Sequence, residues 1–242
     1  MRAVKCLGRA SQRCGGLPWA RRIVTWRGVK ILVIEDHQLV RDMLIVTCGS
    51  VIAGTEVRGA GTGGEGVTAA REFQPNLIFL DLVLPDGDGL DFMAELMAAC
   101  GEAKVIALTS HTDEVSLHGA LKANVHGFVD KNEQPLAVLK EAIHTVMRGQ
   151  RYFSSVAQRL RTAMHRDPAE FSKILSEHEQ RLLALFGEGL SNDEIGRRLG
   201  LASGTVRNHR SQIMSKLGIH GTPELMRYAI EKGFTRVRRG SG

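Results

Sequence analysis

The sequence predicts a doubly wound, parallel five-stranded α/β domain followed by a small all-α domain, and three observations carry that expectation. Three apolar runs each close on a polar group: residues 29–34 on Glu35 and Asp36, residues 76–80 on Asp81, and residues 104–108 on Thr109. Between residues 29 and 148 such runs alternate with helical patterns, as parallel strands joined by crossover helices do. From Leu175 onward the chain reads as four helices.

Each element has its own warrant. Residues 29–34 are apolar and rich in β-branched side chains, which suits a buried strand. Residues 56–60 form the weakest strand candidate. The glycine run that follows, Gly61 to Gly64, lacks the spacing of a phosphate-cradling loop and reads as a turn. Residues 84–89 after Asp81 make a firmer turn, because Pro85 fixes φ while Gly87 and Gly89 permit positive values, so the backbone beside Asp81 is held rigid. A helix near residues 116–123, a strand at 127–129 and a helix at 135–147 complete the first domain. A connection at 149–173 is rich in Arg, Gln and Ser and is broken at Asp167-Pro168. Ser176 with Glu179 three residues on is a capping box, and Leu182, Leu183, Leu185 and Phe186 give that helix an apolar face. Residues 187–191 end it and cap the next, where Ile195 and Leu199 are four apart. Residues 200–203 turn into a helix at 205–217, and Pro223 sits in the first turn of a last helix at 223–232.

Length and charge agree with two domains plus connections. A chain of 242 residues is comfortable for two compact units, which we place at 29–148 and 174–242, with a linker at 149–173. Residues 1–28 carry 7 basic and no acidic side chains, residues 29–148 carry 9 and 17, and residues 149–242 carry 16 and 9. An acidic unit joined to a basic one fits a regulated domain attached to a polyanion binder. The first 28 residues read as a disordered or misannotated basic extension, with initiation near Val24 or Val29. The four cysteines show no metal-ligand spacing and no paired framework, so a reducing cytoplasm is the expected setting. No stretch approaches the roughly 20 apolar residues of a membrane span, so no membrane partner is expected.

Ligands of open parallel sheets bind beyond the carboxyl ends of the strands. Glu35, Asp36 and Asp81 converging there repel one another unless a cation sits among them, which implies a hard divalent metal, best Mg²⁺. Adding Thr109 and Lys131 in that order suggests a phosphate switch. In the second domain, helix 205–217 places Val206, Ile213 and Leu217 in one arc and Arg207, Asn208, Ser211 and Ser215 opposite. A short helix, a tight turn and a helix with a polar, cationic face is the arrangement of a helix-turn-helix entering the major groove.

With these residues in place, 29–148 resembles a response-regulator receiver domain, and the whole chain beyond residue 28 resembles the NarL/FixJ family. The resemblance implies that Asp81 is the phosphoacceptor and that Glu35, Asp36, Asp81 and the Val83 carbonyl hold Mg²⁺. It implies that Thr109 and Lys131 engage the phosphoryl group and that Phe128 swings inward with Thr109. Family members commonly dimerise through the face built from 116–123, 127–129 and 135–147. Residues 189–195, 205–209 and 216–218 are similar to the LuxR-type helix-turn-helix signature. By that similarity Arg207, Asn208 and Ser211 face bases, Arg207 suiting guanine and Asn208 adenine, while Thr205 and Lys216 meet phosphates. Three departures stand out: Ala202 in place of the usual serine cap, with Ser203 as a substitute; His178 in place of a common arginine; and Gly196 in place of a common alanine.

The implied protein is a DNA-binding transcriptional response regulator, phosphorylated at Asp81 by a sensor histidine kinase, dimerising when phosphorylated and binding double-stranded DNA. It is not an enzyme beyond accepting and slowly losing the phosphoryl group. The alternative is a phosphorylation-independent DNA-binding regulator. A phosphatase with an aspartyl nucleophile would need a second aspartate where Val83 stands.

Overall fold

The apolar runs become the central strands of one sheet. The computed structural model describes residues 28–133, 135–167 and 170–235, so residues 1–27 of the basic extension, Val24 among them, fall outside the described residues. In chain order the first domain runs β1 (Lys30–Ile34), α1 (Gln38–Val51), β2 (Glu56–Ala60), α2 (Gly63–Phe73), β3 (Leu77–Asp81), the short strands β4 (Val83–Leu84) and β5 (Gly87–Asp88), a 3₁₀ turn (Gly89–Phe92) and α3 (Met93–Cys100). The chain continues with β6 (Lys104–Thr109), α4 (Glu114–Lys122), β7 (Gly127–Asp130), α5 (Pro135–Met147), β8 (Tyr152–Phe153) and α6 (Ser155–Arg166).

The sheet order is β2-β1-β3-β6-β7-β8, parallel throughout. β1, β3 and β6 occupy the middle because their apolar residues face core on both sides of the sheet, as parallel strands flanked by helices require. β2 stands at the edge and buries only Ala60, which is why its sequence signal is the weakest. Side chains on the two faces form two apolar layers, one under α2, α3 and α4 and the other under α1 and α5.

The expected five strands are six. Tyr152 and Phe153 extend the sheet beyond β7, with Phe153 buried and the Ser154 N–H donated to the Phe128 carbonyl at 2.9 Å. A two-residue strand is too short to show an alternating pattern, so nothing local announces it. The linker region is itself structured: α6 turns Ala157, Leu160 and Met164 toward the core and its arginines outward, and α7 (Phe171–Ile174) follows. The glycine run at 61–64 is not a free turn either. Thr62 caps α2 by accepting the Glu65 N–H at 3.1 Å, and Gly63 is the first helical residue. A Cβ at Gly63 would lie 2.2 Å from the Phe92 ring, so the helix starts where only glycine fits.

The second domain is α8 (Glu177–Gly187), α9 (Asn192–Leu199), α10 (Ser203–Leu217) and α11 (Thr222–Lys232). Ser176 with Glu179 and Ser191 with Glu194 both form full capping boxes. Ser203 does not replace the missing serine cap. It is the first residue of α10, which starts two residues before Thr205, and Ala202 at the N-cap makes no side-chain bond. Gly196 has a steric reason: a Cβ there would approach the Leu201 carbonyl oxygen to 2.5 Å in the tight turn between α9 and α10. Gly196→Ala should therefore destabilise this domain by about 1–2 kcal/mol, the overpacking cost exceeding the gain in helix propensity, as read by thermal unfolding.

The two domains meet across α4. Lys232 of α11 pairs with Glu114 at 2.6 Å, Lys122 pairs with Glu177 at 2.5 Å, and the buried Phe171 ring stands edge-on between His118 and Phe234.

Candidate functional site

The register of the sheet brings its polar strand ends to one rim. Ile34 lies beside Leu80, Asp81 beside Leu108, and Thr109 beside Asp130, so residues far apart in sequence share that edge. Lys131 Nζ stands at its centre, 2.7 Å from Asp81 Oδ2 and 2.6 Å from Glu35 Oε2. Glu35 and Asp81 are buried, whereas Asp36 faces solvent. Burial pushes the Glu35 carboxyl above its ordinary range; the Lys131 ammonium opposes that shift and the Asp81 charge adds to it.

Carboxylate oxygens of Glu35, Asp36 and Asp81 all lie within 4.8 Å of one another. Three carboxylates against the single ammonium of Lys131 leave two negative charges in a half-buried cleft. Glu35 Oε2 is buried and has no hydrogen-bond partner, although Lys131 lies close. An all-oxygen donor set with that residual charge fits a hard divalent cation. Val83 donates its N–H to Asp81 Oδ1 at 3.1 Å, which fixes the rotamer of the carboxylate.

Thr109 is fully buried at the end of β6, and its hydroxyl is engaged with His111, accepting that residue's N–H at 3.0 Å and facing its carbonyl at 3.2 Å. Phe128, on β7, is also fully buried.

Several residues that position this rim carry no signal of that role in the sequence. Arg41 donates to the Glu35 carbonyl at 2.6 Å and so holds the acidic loop closed. The Asp86 carboxylate accepts the N–H groups of Gly63 at 2.9 Å and Gly64 at 3.0 Å, tying the turn after Asp81 to the start of α2. Those two donors hold the Asp86 carboxyl below its ordinary range. Asp130 accepts the Thr112 hydroxyl and the Asn132 N–H, each at 2.7 Å, which joins the Lys131 loop to the loop after Thr109. None of these pairings beyond the Asn132 turn has a local signature, because the partners lie 6 to 23 residues apart.

On the second domain, Val206 and Ile213 of α10 are buried, while Thr205, Arg207, Asn208, Ser211 and Ser215 are exposed along the opposite side. Lys216 is exposed as well but already has a partner, Glu179, at 2.8 Å. His209 packs edge-on against His178, with ring centroids 5.2 Å apart, which gives the unusual His178 a structural use.

The chain matches the family profile of the response regulator receiver domain over residues 31–144 and that of the bacterial regulatory proteins of the luxR family over residues 173–229. The oxygen regulatory protein NreC of Staphylococcus aureus is 32% identical over 213 residues, covering 84% of this chain and 98% of NreC. The response regulator protein VraR of the same organism is 31% identical over 205 residues, with 84% and 97% covered. Among solved structures, RcsB from Salmonella enterica serovar Typhimurium, bound to a promoter in the presence of phosphomimetic BeF3⁻, aligns with a TM-score of 0.60 at 22% identity, covering 84% of this chain and 98% of that one. A two-component response regulator of the LuxR family from Aurantimonas aligns with a TM-score of 0.52 at 27% identity, covering 56% and 97%. Among the described residues, no helix is long and apolar enough to cross a membrane.

Proposed function

This chain belongs to the NarL/FixJ family of two-component response regulators, which join a receiver domain to a LuxR-type DNA-binding domain, and from that membership we propose that Asp81 accepts a phosphoryl group from a sensor histidine kinase. The observation that carries this reading is the Lys131 ammonium bridging Asp81 and Glu35 at the carboxyl rim of the sheet.

An Asp81 carboxylate oxygen attacks phosphorus, the bond from phosphorus to the kinase histidine nitrogen breaks, and an acyl phosphate remains. Glu35, Asp36, Asp81 and the Val83 carbonyl would hold Mg²⁺, which when bound would neutralise charge on the transferring oxygens. Lys131 is already 2.7 Å from the nucleophile and follows the negative charge as it moves outward onto the phosphoryl oxygens. Thr109 leaves His111 to donate its hydroxyl to the same group. The added charge of about −1.5 to −2 supplies the force for that rearrangement. Self-dephosphorylation by water is slow.

The polar side of α10 then reads DNA, with Arg207 and Asn208 on base edges, Ser211 beside them, and Thr205 and Lys216 on phosphates. Lys216 exchanges Glu179 for a phosphate to do so. Two copies bind two half-sites, joined when phosphorylated. Dimerisation through α4, β7 and α5 requires the second domain to leave α4, where Lys232 and Lys122 now pair with Glu114 and Glu177.

Binding to a duplex selected from a random-sequence pool, measured before and after treatment with a small-molecule phosphodonor, tests this reading. Affinity should rise on phosphorylation and fall steeply with salt, and Arg207→Ala should weaken it about 10- to 100-fold. A flat salt response would count against DNA as the ligand. One observation favours the second reading, a phosphorylation-independent regulator: Arg207, Asn208 and Ser211 stay exposed on α10 while Lys232 and Lys122 hold the second domain against α4. Equal DNA affinity of wild type and Asp81→Ala in the presence of phosphodonor would establish it.

A further inference from the structure

The start of α6 is capped from a distance. Its N-cap residue Ser154 makes no side-chain cap bond and is fully buried, with its hydroxyl turned to the Asp130 N–H at 3.4 Å. The first turn is satisfied instead by Glu133, whose carboxylate accepts the Val156 N–H at 2.9 Å and the Ser155 hydroxyl. Those hydrogen bonds hold the Glu133 carboxyl below its ordinary range against the opposing effect of its burial.

Glu133 stands two residues after Lys131, on a loop with little freedom to absorb a displacement. The Lys131 N–H is bonded to the Thr109 carbonyl at 2.8 Å, the Asn132 side chain to the Ser110 carbonyl at 2.9 Å, and the Glu133 N–H to the Asp130 carbonyl at 3.2 Å. At the far end of α6, the Lys173 ammonium donates to the Met164 and Asp167 carbonyls at 3.1 and 2.6 Å, fastening the helix to α7 and so to Phe171 in the contact between domains.

We propose that Glu133 is a positioning residue that couples the phosphoryl state of Asp81 to the linker helix α6 by carrying the displacement of Lys131 into that helix's cap. The inference rests on phosphorylation at Asp81 and adds the route by which it reaches the second domain. When Lys131 shifts from Glu35 toward phosphoryl oxygens, the short, bonded loop moves Glu133 with it. The first turn of α6 then loses or re-forms its cap. The two-state element is this cap, and the Asp81 pocket biases it.

The test uses the full-length protein, wild type and Glu133→Ala, with Glu133→Gln as the conservative variant that keeps an acceptor oxygen. Acyl phosphate at Asp81 is read by mass spectrometry, and amide hydrogen exchange over residues 155–158 and DNA affinity are read with and without phosphodonor. Wild type should label and should change exchange in the first turn of α6 on phosphorylation. Glu133→Ala should label within about threefold of wild type, exchange those amides about fivefold faster in both states, and lose most of the phosphorylation-dependent gain in DNA affinity. Glu133→Gln should restore part of that gain. A purely structural cap would speed exchange and leave the phosphorylation-dependent gain intact, and that result would overturn the coupling. Wild-type exchange at α6 unchanged by a label that is present would overturn it too. A wild type that takes no label would instead defeat the phosphorylation reading itself, and the coupling with it.

Discussion

Asp81→Asn should take up no acyl phosphate from Mg²⁺ and a small-molecule phosphodonor under conditions that label the wild type, a loss of at least about three orders of magnitude. The carboxamide has nearly the same shape and burial but no nucleophilic oxygen anion. Its environment shows why the loss should be clean. Asp81 is almost fully buried, is oriented by the Val83 N–H and faces Lys131 at 2.7 Å, so a cation and a fixed rotamer act together on this carboxylate. Glu35 shares Lys131 at 2.6 Å, and burial raises its carboxyl above the ordinary range. Removing one of three crowded carboxylates relieves repulsion, so the thermal midpoint of the variant should equal or exceed that of wild type in the absence of metal. Chelating Mg²⁺ should suppress labelling of the wild type, because the residual charge among Glu35, Asp36 and Asp81 is then unopposed. Label retained by Asp81→Asn would remove Asp81 from the role of phosphoacceptor.

The parts of this molecule that can be read in advance are those whose signal is local and strong. β1, β3 and β6 are legible because a fully buried parallel strand must be a continuous apolar run, and a polar residue at its end marks the rim. Asp81 and Lys131 are 50 residues apart yet meet at 2.7 Å, because parallel strands in register end on the same edge. The receiver and helix-turn-helix motifs specify the chemistry more sharply than periodicity does. What escapes is long-range or short. β8 has two residues, and α6 hides behind an arginine-rich composition although Ala157, Leu160 and Met164 line one side. Asp86 and Glu133 each cap a helix more than 20 residues away, which no window over the sequence registers. The cap at α10 misleads for the opposite reason: Ser203 has the right side chain but sits one residue inside the helix, where it cannot serve the N-cap.

Gly89→Ala should unfold the receiver more readily and disable its site in one step. Gly89 follows β5, and its N–H is bonded to the Leu82 carbonyl at 3.2 Å, folding the turn tightly back over the end of β3. A Cβ there would lie 2.0 Å from the Asp81 carbonyl oxygen and 3.2 Å from the Leu82 Cα, contacts with backbone that no rotamer change relieves. Either the turn lifts away or the Asp81 peptide rotates. Both options disturb the pairing of Asp81 with Leu108 and the Leu82 N–H bond to the Leu108 carbonyl at 3.1 Å. The expected cost is about 3 kcal/mol, at the upper end for overpacking because backbone meets backbone. That corresponds to a fall of roughly 10 °C in the unfolding midpoint of a unit this size. Labelling at Asp81 in the fraction that remains folded should slow by about 10- to 100-fold, since a displacement near 1 Å misaligns the nucleophile. Gly49→Ala provides the contrast: this glycine is exposed in α1, and a methyl there would meet nothing within 4 Å, so the same change should leave labelling intact and raise stability by up to about 1 kcal/mol. Wild-type stability and labelling in Gly89→Ala would mean that the turn beside Asp81 is looser than this packing requires.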